Sequence, residues 1–163
     1  MLRQTFIVLL CLLAACGGEQ AAKLNLGDVA PAFHTQRVGG GDVDFTAAAD
    51  GRPLVIRFWA DWCKYCEPEM KAIDAVYRRH RDKGLEVFAI NAGQDKATVE
   101  AFIRKLGVTY PVLLDEKSAI AKRYGVVGLP TTYFVDAKGV VRGKVIGEAD
   151  EAVFERHALE LFK

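Results

Sequence analysis

A continuous apolar run, Leu54 to Ala60, leads almost directly into a pair of cysteines in Trp62-Cys63-Lys64-Tyr65-Cys66, and this juxtaposition leaves few folds open. The run is rich in β-branched and aromatic residues and is interrupted only by Arg57, the pattern of a strand buried on both faces of a sheet. From Lys64 to about Lys83, Met70, Ile73, Val76 and Tyr77 recur at helical spacing, and Gly84 stands where a C-terminal cap would. Strand, turn and helix therefore succeed one another with the cysteines at the turn.

The same order repeats downstream. A strand is expected over Leu85 to Asn91 and a helix from about Asp95 to Leu106, with Val99, Phe102 and Ile103 facing inward. A short strand around Val112 to Leu114 and a helix from about Lys117 to Tyr124 follow. Alternation of this kind argues for an α/β fold with parallel strands in a central sheet. Thr131 to Val135 and Val140 to Ile146 flank the turn-rich Asp136-Ala137-Lys138-Gly139 and should form an antiparallel hairpin, before a last helix from about Asp150 to Phe162. Upstream, Asp28 to Phe45 reads as an irregular lead-in and a β-hairpin around Gly39-Gly40-Gly41.

With 163 residues, 51% of them apolar, the chain has enough material for one domain with its own core. The 22 basic and 21 acidic side chains nearly cancel, so no excess field points to nucleic acid or a highly charged substrate. The first residues differ. Arg3 precedes an apolar run, Phe6 to Leu13, that ends in Ala14 and Ala15 and is too short to span a bilayer comfortably; it reads as a signal peptide over residues 1–15. Leu13-Ala14-Ala15-Cys16 resembles a bacterial lipobox, which implies cleavage before Cys16 and a diacylglycerol on its sulfur; an ordinary secretory signal or an uncleaved anchor is the alternative. Residues 16–27 would then be a tether, its small polar stretch reaching roughly 18 Å, and residues 28–163 the folded domain. Cys11 would leave with the signal and Cys16 would carry lipid, so only Cys63 and Cys66 would meet an oxidising compartment as free thiols.

Two cysteines separated by two residues at a helix start can close a small disulfide ring, and the helix N-terminus offers N–H groups and partial positive charge to a thiolate. Cys63 would be the activated nucleophile and Cys66, one turn further on and more buried, the resolving thiol. Half of a zinc site is an alternative, but His34, His80 and His157 are scattered and no second paired motif exists. A purely structural disulfide is another, and a ring this small would constrain few residues of the unfolded chain. No metal or other cofactor is expected beyond the redox-active pair itself.

Phe58-Trp59-Ala60-Asp61-Trp62-Cys63-Lys64-Tyr65-Cys66, followed much later by Gly128-Leu129-Pro130-Thr131-Thr132, resembles the thioredoxin fold over roughly Asp28 to Lys163. Within it, Ala30-Pro31-Ala32-Phe33, the helix-strand insertion between Leu85 and Leu114 and the lipid-anchored start are similar to the TlpA/ResA branch of extracytoplasmic thiol-disulfide oxidoreductases. The resemblance implies a cis Leu129–Pro130 bond beside Cys63, with backbone groups there pairing with a substrate chain. It also implies an active-site role for Glu69, on the helical face of Cys66, where a carboxylate can carry the proton that Cys66 must lose. Trp62 either covers the site and meets partners or packs inward.

Three residues bear on how the pair is tuned or seated. Arg57 stands where related proteins carry Asp or Asn, and an arginine in a central strand needs a partner. It either approaches Glu69 beneath the dithiol, holding it ionised, or snorkels to the sheet edge or another acid. Pro68 is expected in the second helical turn, where it would remove the bond to the Lys64 carbonyl and kink the helix. Lys64 should favour the Cys63 thiolate and push the couple toward a more oxidising potential.

The family resemblance thus implies a monomer on the periplasmic side of a bacterial membrane, held by lipid on Cys16, that reduces protein disulfides and is recharged by a membrane or periplasmic thiol reductant, with apocytochrome c maturation as one task. The same dithiol could run as an oxidase or isomerase, since direction is set by the partner that recharges it. A copper-handling protein would need a third soft ligand near the pair, and a peroxidase would use a single cysteine on the equivalent helix.

Overall fold

A computed structural model describes residues 23–47 and 51–163, so the expected signal peptide, Cys16 and most of the expected tether lie outside the described residues. A hairpin of β1 (Phe33–Gln36) and β2 (Asp42–Phe45) precedes β3 (Leu54–Trp59), α1 (Cys66–His80), β4 (Glu86–Ala92), α2 (Lys96–Leu106) and β5 (Val112–Asp115). Then come α3 (Ala119–Arg123), β6 (Thr131–Val135), β7 (Val141–Ile146) and α4 (Glu151–Glu160). The central sheet has the order β5-β4-β3-β6-β7, with β3, β4 and β5 parallel and β6 and β7 antiparallel to their neighbours. The expected α/β architecture, mixed sheet and N-terminal hairpin are all present.

All six residues of β3 are buried, as expected of the middle strand of a covered sheet. Its alternating side chains divide the core. Val55 and Trp59 pack with Met70, Ile73 and Val76 of α1, Val99 of α2 and Phe154 of α4, whereas Leu54, Ile56 and Phe58 pack with the hairpin residues Phe33 and Phe45 and with Ile120 of α3. Arg57 shares the first face, and this places its charge under α1.

The sheet edges are partly covered by the lead-in segments. Val29 bridges to Val140 beside β7, and Arg37 bridges to Leu113 on β5, so each exposed ladder is capped over part of its length. Helix α2 begins at Asp95, whose side chain accepts from the Thr98 N–H, and α4 begins likewise at Asp150 with Val153. After α1, a short 3-10 turn (Arg81–Lys83) ends at Gly84, whose φ of 97° is the left-handed conformation that glycine tolerates.

Helices α1 and α4 are tied by charge. Arg79 donates to Glu151 at 2.7 Å and to Glu155 at 3.0 Å, and the ring of His80 meets Glu155 at 2.7 Å. The His80 bond, then the Arg79 bond, hold the Glu155 carboxyl below its ordinary value. A carboxyl depressed in the folded state binds its proton more readily when unfolded, so its stabilisation is present at neutral pH and disappears as pH falls through the carboxylate range. Glu155→Gln is expected to cost about 0.5 kcal/mol at neutral pH and far less at pH 3, as read from urea midpoints. An equal loss at both pH values would contradict the assignment.

Candidate active site

The turn joining β3 to α1 brings the two cysteines together as a disulfide, with Cα atoms 5.4 Å apart. Cys63 precedes the helix and retains 6% of its surface exposed, while Cys66 is its first residue and is fully buried. Tyr65 is the N-cap and gives no side-chain cap bond, so a side-chain oxygen does not occupy the N–H groups facing the turn. Cys63 N–H donates to the Ala60 carbonyl at 3.2 Å and Cys66 N–H to the Cys63 carbonyl at 3.0 Å, which shapes the loop around the sulfurs.

Trp62 is 70% exposed beside Cys63, whereas Trp59 is buried and stacked on Phe102 of α2 at 5.1 Å between ring centroids. Lys64 lies over the Tyr65 ring, its Nζ 5.3 Å from the centroid. Thr131 pairs with Phe58, so the loop that precedes β6 sits at the same sheet end as the cysteine turn. In that loop the Leu129–Pro130 bond is cis, and Leu129 is half-buried against the core that holds both cysteines. Exposed Val127 and Ile146 add apolar surface at this end.

Arg57 and Glu69, 1% and 5% exposed, meet beneath the dithiol: Arg57 Nη2 donates to Glu69 Oε2 and its Nη1 to Thr132 Oγ1 at 3.1 Å. The other carboxylate oxygen of Glu69 accepts from the Ala149 backbone N–H, which ties the helix to the loop before α4. Among the described residues no group of three or more His, Cys, Asp or Glu is arranged to hold a metal ion. A concavity of about 740 Å³ lies elsewhere, lined by Asp136, Arg142, His157 and Phe162 at the far end of β6 and β7. Neither cysteine lines it.

Residues 26–144 match the AhpC/TSA family. The chain belongs to that family. A thiol-disulfide oxidoreductase ResA of Geobacillus thermodenitrificans is 31% identical over 158 residues, which cover 93% of this chain and 90% of that protein. A crystal structure from Chlorobium tepidum, described as a thiol:disulfide interchange protein DsbE, superposes with a TM-score of 0.80 at 26% identity, covering 86% of this chain and all of that one. DsbF of Mycobacterium tuberculosis, solved in mixed oxidised and reduced forms, gives a TM-score of 0.72 at 25% identity, covering 79% of this chain and 94% of its own. Together with the Cys63–Cys66 pair, these relatives make the chain a thiol-disulfide oxidoreductase of the ResA/DsbE type.

In this AhpC/TSA-family chain one expectation requires correction. Pro68 does not fall in the second turn: α1 starts at Cys66, so Pro68 is its third residue, where a backbone N–H would have no partner within the helix. The bond to the Lys64 carbonyl that it was expected to remove is therefore not a helical bond at all, and the proposed cause of a kink is gone.

A clasp around the cysteine loop was not expected from the sequence. Gln94 accepts from the Asp61 N–H at 2.9 Å and donates to the Asp61 carboxylate at 2.6 Å, and Asn91 donates to Gln94 at 2.9 Å. Asn91 is fully buried at the end of β4, and a polar residue closing an apolar strand was the available signal. Thr132 and Ala149 carried no comparable signal, because their roles depend on register between distant segments.

Proposed function

We propose that this protein is an extracytoplasmic reductase of protein disulfides, held to a membrane by lipid on Cys16, with apocytochrome c among its substrates. The reading is carried by the asymmetry of the pair: Cys63 at the rim beside exposed Trp62, Cys66 sealed beneath it. In the reduced enzyme the Cys63 thiolate attacks one sulfur of a partner disulfide, forming a mixed disulfide and expelling the partner's other sulfur as a thiolate. Cys66 then loses its proton and attacks Cys63, so the partner leaves as a dithiol and the Cys63–Cys66 bond is restored. The helix N-terminus and Lys64 favour charge on Cys63. Trp62, Leu129 and Pro130 form the face that receives the partner chain, and Arg57 and Glu69 support the dithiol from below.

No helix among the described residues is long and apolar enough to cross a membrane. Attachment through Cys16 and the short polar stretch after it supports a domain that works close to a membrane-borne thiol reductant. The test is capture: full-length Cys66→Ala expressed in the native bacterium should accumulate mixed disulfides through Cys63, including one with a c-type apocytochrome, in the membrane fraction. Mass spectrometry of the mature N-terminus should find diacylglycerol on Cys16. Wild-type protein found mainly oxidised in cells and a trap holding only substrates awaiting oxidation would reverse the direction.

A further inference from the structure

The strand face beneath the dithiol holds two buried donors, Arg57 Nε and Trp59 Nε1, that have no acceptor while the cysteines are bonded to each other. Both residues project from the side of β3 that packs toward Cys63, Cys66 and Met70. The remaining nitrogens of Arg57 are committed, Nη2 to Glu69 and Nη1 to Thr132. Glu69 is engaged at both oxygens, by Arg57 and by the Ala149 N–H, and neither contact offers an acceptor to a carboxyl proton. This is the contact set of an ionised carboxylate, which has acceptors only.

The other ionisable groups around the guanidinium do not balance its charge. Tyr110 is kept neutral because burial pushes its phenol far above the ordinary value, and Asp74 on α1 is occupied by Arg78 and Thr109. The guanidinium keeps its charge at any working pH. When the disulfide opens, the Cys66 sulfur becomes an acceptor one helical turn from Glu69, the carboxylate that Arg57 holds, and the sulfur pair takes on negative charge.

We propose that Arg57 is a positioning residue that sets the reduction potential of the dithiol, its cation and its unpaired Nε–H stabilising the Cys66 sulfur once the disulfide opens, and that Glu69 is the counter-ion that seats Arg57 rather than the carrier of the Cys66 proton. This rests on the dithiol exchange proposed above. In the recharging half of that cycle a reductant dithiol is oxidised to a disulfide and gives two electrons to the Cys63–Cys66 bond. Of its two protons one stays on Cys66 and the other goes to solvent, leaving on the pair one negative charge, carried chiefly by Cys63, in the field of the Arg57 cation.

Equilibration of the purified full-length protein with glutathione and dithiothreitol redox buffers at pH 7 tests the assignment by sign. Glu69→Gln, which frees the Arg57 charge, should move the equilibrium about tenfold toward the reduced enzyme, or about 30 mV for a two-electron couple. Adding Arg57→Met to Glu69→Gln should reverse that shift by about tenfold or more. Arg57→Lys with Glu69→Gln keeps a cation at the same depth and should retain much of the shift, which separates charge from packing. A Glu69→Gln variant with an unchanged equilibrium but slower release of trapped partner would make Glu69 the proton carrier and overturn the proposal. A double variant with the potential of Glu69→Gln would overturn the role of Arg57. Wild-type protein whose Cys63–Cys66 bond is opened by neither glutathione nor excess dithiothreitol would overturn the dithiol reading itself, and this inference with it.

Discussion

Arg57→Met is expected to lower the thermal midpoint by roughly 10 °C, because removing one partner of a buried ion pair costs about 3–5 kcal/mol and each kcal/mol moves the midpoint of a domain this size by about 2–4 °C. The loss does not come from the bond alone. Glu69, 5% exposed, would keep only the Ala149 N–H, and Thr132 would lose its donor. The paired replacement Arg57→Met with Glu69→Leu should recover most of the stability, since a buried ion pair exchanged for apolar groups of similar size is often neutral or better. Scanning calorimetry of the single and double variants decides the matter. A single variant within about 1 kcal/mol of wild type would mean that water reaches the pair.

Cys63→Ala is expected to remove at least about 99% of disulfide reductase turnover, since the thiolate that begins exchange is gone. Cys66→Ala should stop turnover just as completely while sparing the first attack, so one equivalent of partner is captured and not released. The difference follows from the turn: Cys63 has a remnant of solvent exposure and Cys66 has none. Reduced wild-type protein treated with limiting iodoacetamide should therefore be alkylated first at Cys63, as peptide mass spectrometry can show. Preferential labelling of Cys66 would exchange the two roles.

How far the site was legible in advance varies with the range of the interactions that make it. The β3 run, the cysteine turn and the amphipathic α1 are written in consecutive residues, and their periodicity carried them correctly to within a few positions. The hairpin around Gly39 to Gly41 was legible for the same reason. The position of Pro68 was misjudged because helix onset depends on which residue first adopts helical backbone after the turn. A proline two residues either side of that point has opposite consequences. The Asp61–Gln94–Asn91 clasp joins two loops that nothing local brings together.

Cys63 and Cys66, two residues apart ahead of a helix, marked a candidate redox pair by spacing, and the resemblance of the segments around them favoured it over a zinc half-site or a structural disulfide. Arg57 was visible only as a charge that needed a partner, with a neighbouring carboxylate and the sheet edge both open to it. Tertiary structure chose Glu69. The alternation of β3 turns Arg57 toward α1, antiparallel pairing with β6 places Thr132 opposite it, and the loop before α4 supplies Ala149 to the far side of the carboxylate. A charge buried in a strand is solved only where several distant segments converge, since no stretch of consecutive residues can surround it with the donors and acceptors it requires.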